Sequence, residues 1–477
     1  MSLIRKNFIY NNLLGFTNII VPIIIFPYVS RVFGPTGLGI VSFAISLTAS
    51  FVIIASLGIP IYGIREIAKV KDNKEQLSKT YSEILVIQIV WLFVSLLIYA
   101  IWIYSTETFK DETTIRWLSF IHIIGFVGLL KWFYQGIENY RFITIINFVT
   151  KILTIGLLFL LVRASDEYWI YYAIVVGSTF LATVFSIFHS FKYVSFQTKN
   201  LNIKRHLNSI GILFGTQLAI GIYINLDIVF LNYLSSEEQV GFYAPANKLV
   251  KVCLLFITSL GTVLIPKLSQ NIKLGKVEET KSILSKSIQF VFIVSLPIMV
   301  MLWILAPELI LFFAGDSFKE SILLLQYLVP LIFFIGMSNI FGLQILVPFN
   351  KEKKLMRAVL IGAIVSVILN ILFIPSLESL GAVYSILITE LIITFLTLLA
   401  VRKVVVIKVN YKSIILYLFL ALVLIPICNL LNVYFDGIFY LILTSIMCLL
   451  IYTSGLFLFG DEFFKENILK PIFKKMK

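Results

Sequence analysis

Residues 81–105 read YSEILVIQIVWLFVSLLIYAIWIYS. The hydrocarbon core of a bilayer takes about 20 apolar residues of α-helix at ~1.5 Å rise each, so this run is long enough to cross it. A membrane barrel strand would alternate apolar and polar over ~10 residues, and here the apolar run is continuous. Backbone N–H and C=O groups in lipid must be satisfied within the segment, which a helix does alone. The pattern recurs down the whole chain. Of 477 residues, 59% are hydrophobic and 13% charged, and the mean hydropathy is +0.98. Soluble domains run near ~45–50% apolar and ~25% charged, and such a fold could not hide this surface. The fold class is therefore an all-α, multi-pass membrane protein with no sizeable soluble domain.

Successive spans fall at roughly 8–33, 37–64, 81–105, 115–138, 142–163 and 168–191. The next are roughly 208–233, 240–266, 287–313, 321–348, 356–375 and 380–401, followed by 412–434 and 438–459. That predicts about fourteen transmembrane helices. The first run exceeds the ~7–15 residues of a signal-peptide core, contains Asn11, Asn12 and Asn18, and reads as a retained helix.

Basic residues set the orientation. With the N-terminus cytoplasmic, the inner segments carry Arg5 and Lys6, then Arg65, Lys69, Lys71, Lys74 and Lys79, and later Lys199, Lys204 and Arg205. Lys276, Lys353, Lys408 and the tail Lys474, Lys475 and Lys477 continue the series. The outer loops are acidic, with Glu107, Asp111, Glu112, Glu237, Glu238 and Asp316 among them. The bias alternates at every turn, so the net +14 reports topology and gives no support to nucleic-acid binding. Both termini are expected in the cytoplasm.

The chain also carries an internal echo. Leu38, Gly39 and Ala44 open helix 2, and Val240, Gly241 and Ala246 open helix 8. Ser56-Leu57-Gly58 and Ser259-Leu260-Gly261 close them. An offset of six helices keeps both halves in the same orientation, as in parallel-repeat transporters. The expected organisation is an N-lobe over 1–200 (helices 1–6), a C-lobe over 201–405 (helices 7–12), and helices 13–14 with a cytoplasmic tail over 406–477.

Four stretches point to a family: Arg31-Val-Phe-Gly-Pro-Thr-Gly-Leu-Gly39, Ser56-Leu-Gly-Ile-Pro60 with Gly63-Ile-Arg-Glu66, Trp132-Phe-Tyr-Gln-Gly-Ile-Glu138, and Val240-Gly-Phe-Tyr-Ala-Pro-Ala-Asn-Lys-Leu249. In this order and spacing the chain resembles the Wzx-type polysaccharide (O-antigen repeat-unit) flippases of the MATE-related MOP superfamily, over roughly residues 5–400. The resemblance implies two six-helix lobes in a V plus an extra pair. It also implies an oligosaccharide on undecaprenyl diphosphate as cargo, moved from the cytoplasmic to the periplasmic leaflet by alternating access. Membrane lipids, and other glycan-assembly membrane proteins, would be its surroundings, and a monomer its functional unit.

Charged residues inside spans are costly and mark candidate sites. Lys248 and Lys251 share one face of helix 8, and Lys251 lies about 15 Å from the outer end at Gly241, near the midplane. They can line a cationic cavity for a diphosphate, or pair with Asp227. Lys131 on helix 4, with Arg31, Arg65, Arg141 and Lys151 near span ends, can form an anion-attracting vestibule, or snorkel to headgroups. Arg65 can equally pair with Glu66. Asp227 and Glu390 are the carboxylates placed well inside spans, and Asn370 is a third polar group. The three are similar to the sodium site of lipid II flippase relatives on helices 7, 11 and 12, although Ile374 stands where those relatives carry a second carboxylate. Sodium or a proton is the candidate coupling ion. The other reading pairs Asp227 with Lys248 and leaves Glu390 as a proton site or a snorkelling group. Pro22, Pro27, Pro60 and Pro297 are hinges or static kinks.

An enzyme is not indicated. His122, His189 and His206 are far apart in sequence, and no zinc, P-loop or serine-hydrolase motif is present. Cys253, Cys428 and Cys448 all lie in apolar runs, read as small core or lipid-facing residues, and imply neither a disulfide framework nor a metal site. No organic cofactor is expected. The rival readings are a MATE-like cation or drug exporter, which calls for an acidic or aromatic cavity, and a glycan polymerase, which calls for a large outer catalytic loop.

Overall fold

A computed structural model describes residues 3–199 and 201–466, and all regular structure among them is helical. The side chains of Arg5, Lys6, Asn11, Asn12, Asn18, Ser259, Leu260, Gly261 and Pro266, and the basic tail, lie outside the described residues. The first half contains α1 (Leu3–Ser56), α2 (Ile59–Val70), α3 (Lys74–Ser105), α4 (Thr113–Gly128), α5 (Lys131–Gly136), α6 (Tyr140–Leu161), α7 (Tyr168–Ser190) and α8 (Lys204–Leu234). Then come α9 (Glu237–Lys273), α10 (Val277–Ile304), α11 (Ala306–Phe313), α12 (Glu320–Leu328) and α13 (Leu331–Asn339), which runs into a π-helical stretch at Ile340–Leu346. The chain continues as α14 (Glu352–Arg402), α15 (Tyr411–Tyr434) and α16 (Gly437–Leu458).

Eleven helices among the described residues are long and apolar enough to cross a membrane. Two of them contain a sharp non-helical residue. Gly34 (φ 66°, ψ −174°) divides α1. Glycine is the residue that tolerates this conformation, and Pro35 behind it has the fixed φ suited to a first helical turn. Glu378 (φ 51°, ψ −127°) divides α14. There the chain folds back: a Cβ on Gly381 would lie 2.6 Å from the Phe373 carbonyl carbon, and one on Gly362 would lie 2.5 Å from Ile393 side-chain atoms. Pro22 and Pro27 lie within α1 and Pro297 within α10, and none of the three marks a non-helical residue.

Two expected spans of the first unit are broken by left-handed residues. The span at 37–64 stops at Ser56, where Leu57 (φ 45°) and Gly58 (φ 73°) turn left-handed before α2. Pro60 is the cause, since inside a helix its ring would meet the carbonyl of residue 56. It sits instead in the first turn of α2, where no N–H is needed. The span at 115–138 breaks at Leu130 (φ 49°), separating α4 from α5.

By contacts the chain forms two compact units, 1–241 and 242–477. In the first, a buried core gathers Tyr62, Ile67, Leu77, Tyr81, Ile84, Trp132, Phe133 and Val194 from α2, α3, α5 and the segment after α7. In the second, Ile293 of α10 packs against Tyr417, Leu424, Cys428, Cys448 and Tyr452 of α15 and α16. Large apolar side chains such as Phe93, Ile101, Phe185, Phe188, Leu422 and Leu449 stay exposed, as expected where lipid rather than water is the solvent.

The echo in the sequence has a spatial counterpart inside the first unit. A Cβ on Gly39 would overlap the Glu237 carbonyl, and a Cβ on Gly241 would overlap the Pro35 carbonyl. Each glycine meets the carbonyl four residues before the other, so the two matching segments approach reciprocally and backbone to backbone.

Candidate functional site: a lysine pair at a helix break

In the first unit the break between α4 and α5 builds a polar recess. A break in an apolar span frees backbone groups that must be satisfied again. Gln88 of α3, buried, does this by donating from Nε2 to the Val127 carbonyl at 2.6 Å. Its Oε1 accepts from Trp132 Nε1 at 2.9 Å, so one amide ties both sides of the break. Gly63 of α2 lies so close to the Trp132 ring that a Cβ would come within 2.6 Å of it.

Lys131 opens α5 at this point. Its ammonium lies 5.1 Å from the centre of the Phe126 ring. It lines a cavity of about 200 Å³ together with Ser56, Pro60, Gln88 and Gln135. Lys151 of α6 is near enough for the two ammonium groups to repel. Neither lysine has an acidic partner among the described residues. Of the cations expected at the site, Lys131 is the one that lines this recess. The other basic residues of the first unit are placed differently. Arg31 is exposed and donates to the Pro27 carbonyl at 2.9 Å. Arg65 pairs with Glu66 at 3.1 Å and stacks over the Tyr62 ring at 5.4 Å. Arg141 is exposed at the start of α6.

Asp227 is buried on α8, in the first unit. Asn370 and Glu390, also buried, belong to the two arms of α14 in the second unit. The register that sets Ile374 beside Gly381 and Gly362 beside Ile393 places Asn370 across from Ser385, and Ser366 across from Thr389. Asn370 Nδ2 donates to the Ser366 carbonyl at 2.9 Å. The Ser385 and Thr389 hydroxyls are buried without a hydrogen-bond partner among the described residues. Glu390 is one turn from Thr394, whose hydroxyl donates to the Phe334 carbonyl at 3.0 Å, so its face of the helix turns towards α13. Asn370 and Glu390 thus share a hairpin but lie on different faces of it. On α9, Lys248 is half-buried and Lys251 exposed. No cluster of three His, Cys, Asp or Glu suited to a metal occurs among the described residues.

Two features escape a reading of the sequence. Glu83, at the start of a span, is buried at 0% exposure beside His206 and Arg205, which are distant in sequence. Cys428 and Cys448 bring their Sγ atoms to 3.3 Å where α15 packs on α16. An acid two residues into an apolar span, and an adjacent Arg-His pair opening another, were the available signals for the first. No local signal exists for the second.

Long apolar helices in this arrangement, with Lys131 lining a recess at a helix break, place the chain in the class of multi-pass membrane transporters. The chain belongs to the polysaccharide biosynthesis protein family, whose match covers residues 4–272. A MatE match covers residues 213–372. The chain is 22% identical over 404 residues to a "Putative O-antigen transporter" of Escherichia coli (strain K12), spanning 84% of this chain and 97% of that one. Its fold is similar to that of lipid II flippase MurJ in an inward closed conformation, with TM-score 0.63 and 18% identity over 91% of this chain and 98% of the other. It is also similar to an inward-facing multidrug resistance MATE family transporter of the MOP superfamily, with TM-score 0.68 and 14% identity over 82% and 94%. These likenesses agree with the Wzx-type, MOP-superfamily assignment reached from the motifs.

Proposed function

We propose that this protein moves an oligosaccharide carried on a polyprenyl diphosphate from the cytoplasmic to the outer leaflet of a prokaryotic inner membrane. The observation that carries this reading is Lys131, a cation within a span that lines a recess without an acidic partner among the described residues, with Lys151 of α6 acting on it as a second like charge. Like charges held close in low dielectric repel strongly and favour an anionic occupant. A diphosphate is such an occupant, and the neutral sugar would be met by Gln88, Gln135 and Ser56. The E. coli relative named as an O-antigen transporter supports this cargo class. An exporter of organic cations would place carboxylates, not lysines, at that recess.

Ion coupling belongs to the buried carboxylates. Glu390, buried on α14 next to Thr389, whose hydroxyl has no partner among the described residues, suits a proton or sodium ion, while Asp227 on α8 and Asn370 on the other arm of α14 are separate candidates. The decisive experiment is deletion of the gene in its own host. Lipid-linked repeat units should accumulate on the cytoplasmic leaflet and return to normal on complementation. Normal glycan export with raised sensitivity to cationic drugs would favour the exporter instead.

A further inference from the structure

The segment joining α7 to α8 is bound along the inner half of α3. The Ser195 N–H donates to Ser78 Oγ at 3.1 Å, the Gln197 N–H to Ser82 Oγ at 2.8 Å, and the Asn202 N–H to Glu83 Oε1 at 2.7 Å. Ser78 and Ser82, one turn apart on one face of α3, and Glu83 beside them are all buried under the strap. Val194, 2% exposed, is packed into the core with Leu77, Tyr81 and Trp132. Tyr81 adds a contact of 3.0 Å to Ser190 Oγ at the end of α7.

Glu83 closes this strap. Its second oxygen accepts from Arg205 Nη2 at 2.5 Å and lies 2.8 Å from His206 Nε2. His206 Nδ1 is 2.6 Å from the Tyr62 hydroxyl on α2. Arg205 also reaches Thr80 Oγ1 at 3.2 Å. One buried carboxylate thus joins α3, the strap and the first turn of α8, with α2 held through the imidazole.

This segment connects the two halves of the internal repeat, and left free it would be the obvious hinge of an alternating-access transporter. Its bonding argues otherwise. Releasing it would leave a carboxylate at 0% exposure without its partners, together with two buried hydroxyls, and removing one partner of a buried charge is strongly destabilising. We propose that Glu83 is the clasp of a permanent strap. It positions the inner end of α8 on α3 throughout the cycle, so α8 travels with the first unit and the chain flexes only after α8. The idea rests on the transporter reading but not on the identity of the cargo.

The test starts from a protein in which Cys253, Cys428 and Cys448 are replaced by alanine. Ser78→Cys with Ser195→Cys then staples the strap to α3 through a disulfide. Oxidised protein should transport within about twofold of the reduced form, a margin well under the tenfold of ~1.4 kcal/mol. A block on oxidation, relieved by reductant, would show that the strap must open and would overturn the proposal. Glu83→Gln should lower transport about tenfold, and a Val194→Cys thiol in that background should become open to a cytoplasmic maleimide. Adding the Ser78–Ser195 staple to Glu83→Gln should restore transport. Failure of the staple to rescue an abundant Glu83→Gln protein refutes the clasp. If Glu83→Gln does not accumulate, the staple with native Glu83 decides alone. Maleimide labelling follows the strap whatever the cargo, so a wrong substrate assignment leaves that arm intact.

Discussion

Lys131 and Arg65 show how burial separates cations that look alike in sequence. Arg65 is held by Glu66 at an exposed position, and exposed pairs contribute about 0–1 kcal/mol. Lys131 lines a recess, feels Lys151 as a like charge, and has no acidic partner among the described residues. Lys131→Ala and Lys151→Ala should each lower transport about tenfold, the effect of ~1.4 kcal/mol in loaded-state population. Lys131→Arg should keep part of the activity, and Arg65→Ala nearly all of it. The check is complementation of glycan assembly at matched protein abundance, and unaffected export in both lysine variants would refute the cationic recess. At the residues proposed for ion coupling, Asp227→Asn and Glu390→Gln should weaken transport and alter its dependence on sodium or pH. Unchanged ion dependence in both would remove them from coupling.

Helix breaks dominate at the scale of elements. The α4–α5 break depends on Gln88, which accepts from Trp132 and donates to Val127. Gln88→Leu keeps much of the volume but strands a carbonyl and an indole N–H, at about 1–3 kcal/mol for each buried unsatisfied group. The thermal midpoint in detergent should fall by several degrees, and a midpoint equal to that of the parent protein would show that the amide does not support the break. The reciprocal approach at Gly39 and Gly241 is equally demanding, because any side chain there meets a backbone carbonyl. Gly241→Val should force the two segments apart. A cysteine at Thr36, beside the contact, should then react faster with an impermeant outer reagent. Unchanged reactivity would mean that the close approach is not maintained in the membrane.

For the whole molecule, the alternating charge bias makes one commitment about topology. Lys74, Lys199, Lys276, Lys353 and Lys408 should be labelled from the cytoplasm when replaced by cysteine, and Asp111, Glu238 and Asp316 from outside. One inverted loop would break the assignment of spans. The spatial division of the chain also differs from its repeat. The compact units part between residues 241 and 242, so α8 packs with the helices before it although the repeat counts it as the first helix of the second half.

Membrane residence, the all-helical class, most span positions and the family were all legible in the sequence. Each depends on quantities summed along the chain: hydropathy over about 20 residues, the side on which lysines fall, and the order of short motifs. Pro60 explains the end of the second arm of α1 at Ser56, because its ring cannot continue a helix, although the expected span ran on to residue 64. The break at Leu130 carries no such mark, since a leucine at φ 49° is held there by Gln88 and Trp132 from elsewhere in the fold. The same holds for Lys131 in its recess, for Cys428 beside Cys448, and for Glu83, whose carboxylate is bonded by Arg205 and His206 more than 120 residues away. A buried charge acquires its meaning from what packs around it. Only the tertiary structure decided which polar groups became neighbours, because those neighbours are set by helix packing and not by distance along the chain.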